Sequence, residues 1–382
     1  MIYLDNAATS WPKPPQVKEA MNRFMDEIGA NPGRSGHALS IEAARIIYEA
    51  RETLSVLFNV KDSSRIVFTL NATESINLVL KGLLKYKDHV ITSSMEHNSV
   101  MRPLRGLEKK GIELSIIPCS KEGMMDPQEV EREIRSNTRM VVLNHASNVT
   151  GTLLPVREVG KIAREHNLLF LVDAAQTAGV CPIDVEKDGI DLLAFTGHKS
   201  LYGPQGTGGL VIGERINEKQ MIPLKQGGTG SRSEFEEQPD FLPDRFESGT
   251  LNTVGIAGLL AGIQFVLDKG VEQIRQREMT LMEKLVIGLK KIPKVKLYAP
   301  ERQEDRIATI SFNFFHLSPS NGAFRLEKEF GILCRPGLHC APAAHHTLGT
   351  FPEGTVRFGL SAFNTEAEIE TAVEAISQIS KK

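Results

Sequence analysis

The sequence predicts an α/β chain, with a large domain on a mainly parallel, seven-stranded sheet and a smaller α+β C-terminal domain. Three observations carry this. Between about residues 65 and 213, short apolar runs alternate with amphipathic stretches. From residue 253 onward the pattern changes to two long helical stretches followed by short mixed elements. The chain of 382 residues, 41% of them hydrophobic, also exceeds what a single core usually organises. The division is placed at 15–260 for the large domain, and at 261–382 with 1–14 for the small one.

Strands are expected at 65–69, 89–92, 114–118, 140–144, 168–172, 191–195 and 209–212. Helices at 75–84, 102–110, 128–135 and 156–166 lie between most of them. In the last, Val156, Val159, Ile162 and Ala163 fall on one face at helical spacing. Such alternation argues for parallel strands covered by helices on both sides. A proline-rich stretch (Pro12, Pro14, Pro15) is expected to pack across the domains before a helix at 16–28. The run from Gly227 to Pro243 reads as a long polar loop, a length that is often functional. Helices follow at 253–269 and 272–291, and short elements at 294–298, 308–313, 322–330, 332–335, 355–360 and 366–380.

Composition excludes several classes. Lysine plus arginine total 45 and aspartate plus glutamate 47, a formal charge of −2 without a basic block, so no nucleic-acid surface is expected. The N-terminus lacks a basic region followed by an apolar run, and no apolar stretch reaches membrane-spanning length. The expected place is the cytoplasm, with no membrane partner. Cys119, Cys181, Cys334 and Cys340 form no CxxC pair and no zinc spacing, so free thiols and no metal are expected. The first three read as buried strand or strand-end residues.

Polar clusters follow five of the strands: Asn71-Ala72-Thr73-Glu74-Ser75, Ser94 to Ser99, Asn144 to Gly151, Asp173 to Gln176, and Thr196-Gly197-His198-Lys199. Singly, each has an ordinary explanation: a helix cap at Thr73, a loop histidine at His97, a turn after Asn148, a cap at Asp173, a solvated turn lysine at Lys199. Together they occupy the strand ends where open α/β sheets bind ligands. An acid directly after Leu169-Phe170-Leu171-Val172 is costly to bury without a partner. A lysine after a second core strand has a depressed amine pKa if desolvated. Pyridoxal phosphate (PLP) needs such a pair: the amine forms a Schiff base with its aldehyde, and the carboxylate keeps its pyridine nitrogen protonated.

Over nearly its whole length the sequence resembles PLP enzymes of the aspartate aminotransferase fold (fold type I). Within these it resembles the class V aminotransferase family that includes cysteine desulfurases. The resemblance rests on Tyr3 to Thr9, Asn31 to His37, the five clusters above, Glu247 to Thr253, Arg335-Pro336-Gly337-Leu338-His339-Cys340-Ala341 and Val356-Arg357-Phe358. It implies that Lys199 holds PLP, His97 stacks on its ring, Asp173 pairs with its nitrogen, and Asn148 and Gln176 reach its phenolic oxygen. Ala72, Thr73, Thr196 and His198 would hold the phosphate, with Thr250 arriving from a second subunit in a homodimer with shared sites. Arg357 would bind the substrate carboxylate, Asn148 would border the substrate, and Arg34 would approach it from the partner chain.

Cys340 decides the activity within this family. It stands in a Gly/Pro-bearing loop beside His339, with Arg335 close in sequence, and positive neighbours favour a reactive thiolate. The short segment resembles the desulfurase class that carries its cysteine on a compact loop and passes sulfur to a carrier protein. Leu338 and Pro336 depart from that class, which more often has a histidine and a hydroxyl residue at these places. The expected reaction takes L-cysteine to L-alanine with sulfur held as a persulfide on Cys340, and Lys199, Cys340 and His97 as catalytic residues. Selenocysteine lyase, cysteine-sulfinate desulfinase and aminotransferase activities are the alternatives on this scaffold, and a non-enzymatic PLP-binding scaffold is a further one.

Overall fold

The computed structural model describes residues 1–33 and 36–381. Strand β1 (Ile2–Tyr3) and helices α1 (Pro15–Arg23) and α2 (Ala38–Phe58) come first. Then follow β2 (Ile66–Thr69), α3 (Ala72–Leu83), β3 (His89–Ser93), α4 (Asn98–Glu108), β4 (Glu113–Ile117), α5 (Gln128–Arg132), β5 (Thr138–Asn144), α6 (Val156–Glu165), β6 (Leu169–Asp173), β7 (Leu192–Thr196) and β8 (Gly208–Ile212). Helices α7 (Thr253–Lys269) and α8 (Val271–Lys290) lead to β9 (Val295–Tyr298), β10 (Thr309–Phe314), α9 (Pro319–Phe330), β11 (Ile332–Leu333), β12 (Arg335–Gly337), α10 (Pro342–Leu348), β13 (Thr355–Gly359) and α11 (Glu366–Lys381).

The large sheet has seven strands in the order β2-β8-β7-β6-β5-β3-β4. Strands β3 to β7 run parallel to one another, and β8 is antiparallel to both of its neighbours. The strands lie where the apolar runs placed them, within two residues at each end. Strand β6 shows why: it is buried throughout, and its side chains alternate between two cores. Phe170 and Val172 join the layer under α2, α6 and α7, and Leu169 and Leu171 join the layer under α3 and α4. Each fully buried side chain of this size contributes about 2 kcal/mol.

The sequence reading assigns no element to α2, although Ala43, Ile46, Ile47, Ala50, Leu54 and Phe58 are buried along one face at helical spacing. Two helices begin earlier than their apolar periodicity suggests. Asn71, not Thr73, caps α3 and accepts from the Glu74 amide at 3.0 Å. His97 caps α4, so that helix starts at Asn98. The short element expected at 332–335 is two strands: β11 pairs with β1, and β12 pairs with β13.

The C-terminal part holds an antiparallel sheet in the order β12-β13-β10-β9. Its core gathers Leu281, Leu285, Ile310, Phe312, Phe358 and Ile376, and Leu4 from the N-terminus joins it. The first ten residues strap this sheet to the large one: Asn6 N donates to Gly359 O, and Ser10 N donates to His198 O. Between Gln220 and Thr253 there is no helix or strand. No single described helix is long and apolar enough to cross a membrane.

Candidate active site

A cavity of about 310 Å³ lies at the C-terminal ends of β5, β6 and β7, closed by the N-termini of α3 and α4, the N-terminal strap and the C-terminal sheet. Ten of the expected site residues line it: Ala72, Thr73, His97, Asn148, Asp173, Gln176, Thr196, His198, Lys199 and Arg357. Two do not: Cys340 lines an adjoining groove, and Thr250 borders a separate small cavity. Arg34 lies outside the described residues.

Asp173 ends β6 and is buried. Its Oδ1 accepts from the Ala175 amide at 2.9 Å, and Ser99 Oγ donates to its Oδ2 at 3.2 Å. Burial raises its pKa. Lys199 follows β7, and burial pushes its amine down to about 8, with Arg357 and Arg335 adding to the shift and Asp173 opposing it. His97 accepts the Ser99 amide at Nδ1, 3.1 Å, which places its remaining proton on Nε2. Burial first, then Lys199 and Arg335, holds its pKa down near 3, so the ring is neutral at physiological pH. His198 is likewise pushed to about 4 by burial, Lys199 and Lys13.

Several donors and acceptors here have no protein partner. Thr196 Oγ1, His198 Nδ1 and Asn148 Oδ1 are buried and unsatisfied, as is rarely true without a ligand or water. At the same end, the first-turn amides of Ala72 and Thr73 open α3, a ready anion cradle. Asn148 gives one amide hydrogen to His339 O (2.7 Å) and Gln176 one to Ala7 O (3.1 Å), which leaves a second on each. A buried acid, a desolvated amine, a neutral imidazole and a phosphate cradle thus fit a phosphorylated cofactor with a basic ring nitrogen and an aldehyde. Arg357 is 1% exposed; its Nη2 bonds Asp5 Oδ1 at 2.8 Å and its Nη1 bonds Asn148 O at 3.0 Å. Its Nε is buried without a partner, a free donor for a carboxylate.

Cys340 is exposed, on the turn between β12 and α10, with Arg335 Nη2 3.5 Å from its sulfur. His339 and Cys340 are consecutive residues at positive φ (50° and 58°), a left-handed conformation that side chains rarely adopt. The turn is pinned on both sides: Cys340 O accepts the Asn98 amide at 2.8 Å, and the His339 ring lies 3.1 Å from Thr355 O. Burial pushes the other thiols up, Cys119 and Cys181 to about 11 and Cys334 to about 12. Only Cys181 of these three is fully buried; Cys119 and Cys334 are half-buried, because each sits at a strand end rather than inside a layer. Sequence reasoning gave no site role to Ser99, which joins His97 to Asp173, and treated Arg335 and His339 only as neighbours of Cys340, whereas both also line the cavity. Ser99 stands in the singled-out run two residues beyond His97, but its contact with Asp173 spans 74 residues. Among the described residues no group of three His, Cys, Asp or Glu side chains could hold a metal ion.

The fold and this site define an α/β enzyme of fold type I. The chain belongs to the class V aminotransferase family, whose model matches residues 2–371. A probable cysteine desulfurase of Methanothermobacter thermautotrophicus is 36% identical over 99% of this chain and 94% of its own length. The apo structure of a cysteine desulfurase from Thermococcus onnurineus superposes with a TM-score of 0.93 at 35% identity, covering 100% of this chain and 94% of that one. The Escherichia coli cysteine desulfurase CsdA, solved with an S-sulfonic acid, gives 0.89 at 29% identity over 99% and 94%.

Proposed function

We propose that this protein is a PLP-dependent cysteine desulfurase that converts L-cysteine to L-alanine and holds the sulfur as a persulfide on Cys340. The observation that carries the reading is the placement of an exposed cysteine, with a guanidinium against its sulfur, on the turn that follows β12 at the rim of the Lys199 cavity. The names of the relatives point the same way.

When bound, PLP supplies an electrophilic aldehyde and an electron-withdrawing ring. The chain supplies the rest. Lys199 is the attachment point, and its amine, with a pKa near 8, moves the proton at the substrate Cα. Asp173 balances the ring nitrogen, neutral His97 covers the ring, and Asn148 and Gln176 donate to the phenolic oxygen. Ala72, Thr73, Thr196 and His198 hold the phosphate, with Thr250 added by a second subunit of a homodimer. Arg357 Nε takes the substrate carboxylate, beside Asn148, and Arg34 of a second copy completes the subsite. Cys340 Sγ attacks the substrate sulfur: the S–S bond forms as the C–S bond breaks, and the electron pair left on carbon is protonated to the methyl group of alanine. A thiol or a sulfur-acceptor protein then removes the sulfur. The reading places the enzyme in the cytoplasm and keeps the division at 15–260 and 261–382 with 1–14.

The test is to mix PLP-loaded protein with L-cysteine and a thiol reductant and to assay alanine and sulfide together, with Cys340→Ser alongside. Equal amounts of both products, lost in the variant, support the assignment. Full activity in Cys340→Ser removes the persulfide step, and no product from wild type returns the search to other amino acids.

A further inference from the structure

Cys340 lines an open groove of about 550 Å³ between α3 and α4, which adjoins the Lys199 cavity and shares Thr73, His97 and Ser99 with it. The groove's charge is one-sided. Lys81 from α3, Arg102 from α4 and Lys110 just beyond α4 line it, and no carboxylate does. All three are exposed, and none has an ion-pair partner among the described residues. The neighbouring Arg105, by contrast, is neutralised by Glu108 at 2.8 Å. Three free cations beside one exposed sulfur make a local positive field that the near-neutral whole chain does not.

We infer that this groove is the sulfur-offloading site, and that it takes small thiols bearing carboxylates. The inference rests on the desulfurase reading of Cys340. The sulfur on Cys340 leaves by thiol exchange: an incoming thiolate attacks the outer sulfur, the S–S bond to Cys340 breaks, and a new S–S bond forms on the acceptor. With one proton passing from acceptor thiol to Cys340, the step reads RSH plus Cys340–S–SH giving RSSH plus Cys340–SH, and needs no outside oxidant or reductant. The attacker is an anion, so cations lining its approach raise both its local concentration and its rate. Carboxylates on the acceptor add to this, and the groove's size lies in the range of small-molecule sites. The groove adjoins the Lys199 cavity through Thr73, His97 and Ser99, so the acceptor reaches Cys340 from beside the cofactor site.

The test loads the PLP-bound enzyme with L-cysteine, confirms one sulfur on Cys340 by intact mass, and then mixes it rapidly with mercaptosuccinate, 2-mercaptoethanol or cysteamine. The quantity read is the ratio of the second-order rate constants for the dianionic and the cationic thiol, in wild type and in Lys81→Glu/Arg102→Glu/Lys110→Glu. Because intrinsic thiol reactivity cancels, the ratio should fall in the variant by roughly tenfold or more, and in wild type it should shrink as salt rises. An unchanged ratio overturns the inference, including the case in which a second copy of the chain covers the groove. If no sulfur loads, the desulfurase reading has failed. The groove is then tested alone by capping Cys340 with 2-thiopyridine and following 2-thiopyridone release by the same three thiols, where the same fall supports an anionic-thiol site and its absence rejects it.

Discussion

The strand-end floor of the cavity and the Cys340 turn meet at His97, but they are built in opposite ways. The floor is buried: Asp173 and Thr196 terminate core strands, and the strand pairs on either side fix their positions. The turn exposes Cys340, carries two side chains at positive φ, and is pinned through hydrogen bonds at Cys340 O, His339 O and the His339 ring. A floor of this kind suits a resident group that must not move. A turn of this kind suits a nucleophile that must reach both a substrate and an acceptor. The difference predicts that lesions in the floor are read in cofactor retention, while lesions in the turn are read in turnover with the cofactor retained.

The largest separation should come from Lys199→Ala against Cys340→Ser. Both should lower alanine formation by about 10³-fold or more. After borohydride reduction, however, mass spectrometry should find PLP fixed at one per chain in Cys340→Ser and none at this position in Lys199→Ala. Equal labelling of the two would erase the distinction between floor and turn. Next in size is Asp173→Asn, which removes the carboxylate charge at the end of β6 and leaves the Ser99 and Ala175 contacts sterically in place. PLP retention through dialysis should weaken on the order of 10²-fold, with the melting temperature of the cofactor-free protein near that of wild type. Retention equal to wild type would remove Asp173 as the ring's counter-charge.

A third variant probes how the segment bearing Thr250 is fixed. Glu247 is buried against Arg51, with Oε1 2.7 Å from Nη1, and it also accepts the Phe68 amide at 2.6 Å. Glu247→Ala leaves a buried guanidinium unpaired and should lower unfolding free energy by about 3 kcal/mol, seen as a lower urea midpoint. An unchanged midpoint would mean that water replaces the carboxylate.

The floor was legible in the sequence because each of its strands ends an apolar run with a polar cluster: the five clusters together put Asp173, Lys199, Thr196 and His97 at the strand ends, and the family resemblance supplied their roles. What escaped is of two kinds. Helix α2 carries a readable stripe, but its first turns follow a motif stretch that carries no apolar period, and the element was passed over. Other features are long-range and leave no local trace: Ser99 meets Asp173 across 74 residues, Arg51 meets Glu247 across 196, and Arg357 meets Asp5 across 352. The caps at Asn71 and His97 lie between these cases. Asn71 has a residue type that suits capping and His97 does not, both sit inside motifs that suggested ligand binding, and in the structure His97 serves as a cap while lining the cavity.

The smallest and most discriminating effect concerns Glu96, the fully buried acid next to His97. Ser93 Oγ donates to its Oε1 at 2.6 Å, and the Asn144 amide donates to both carboxyl oxygens at 3.0–3.1 Å, so it ties the end of β3 to β5. Burial first, with Asp173 adding, pushes its pKa up from 4.5 to about 8. Between these values the folded protein holds a proton that the unfolded chain has released. Its stability therefore falls as pH rises: the contribution is whole below about 4.5 and gone once pH passes about 8. The slope from this one group is at most about 1.4 kcal/mol per pH unit. Glu96→Gln, which mimics the protonated acid with one acceptor and one donor, should flatten urea midpoints measured from pH 5 to 8 while leaving the value at pH 5 nearly unchanged. A slope identical to wild type would assign the pH dependence to other groups and leave Glu96 ionised. A flattened slope would show that the carboxyl group tying the end of β3 to β5 is neutral in the folded protein.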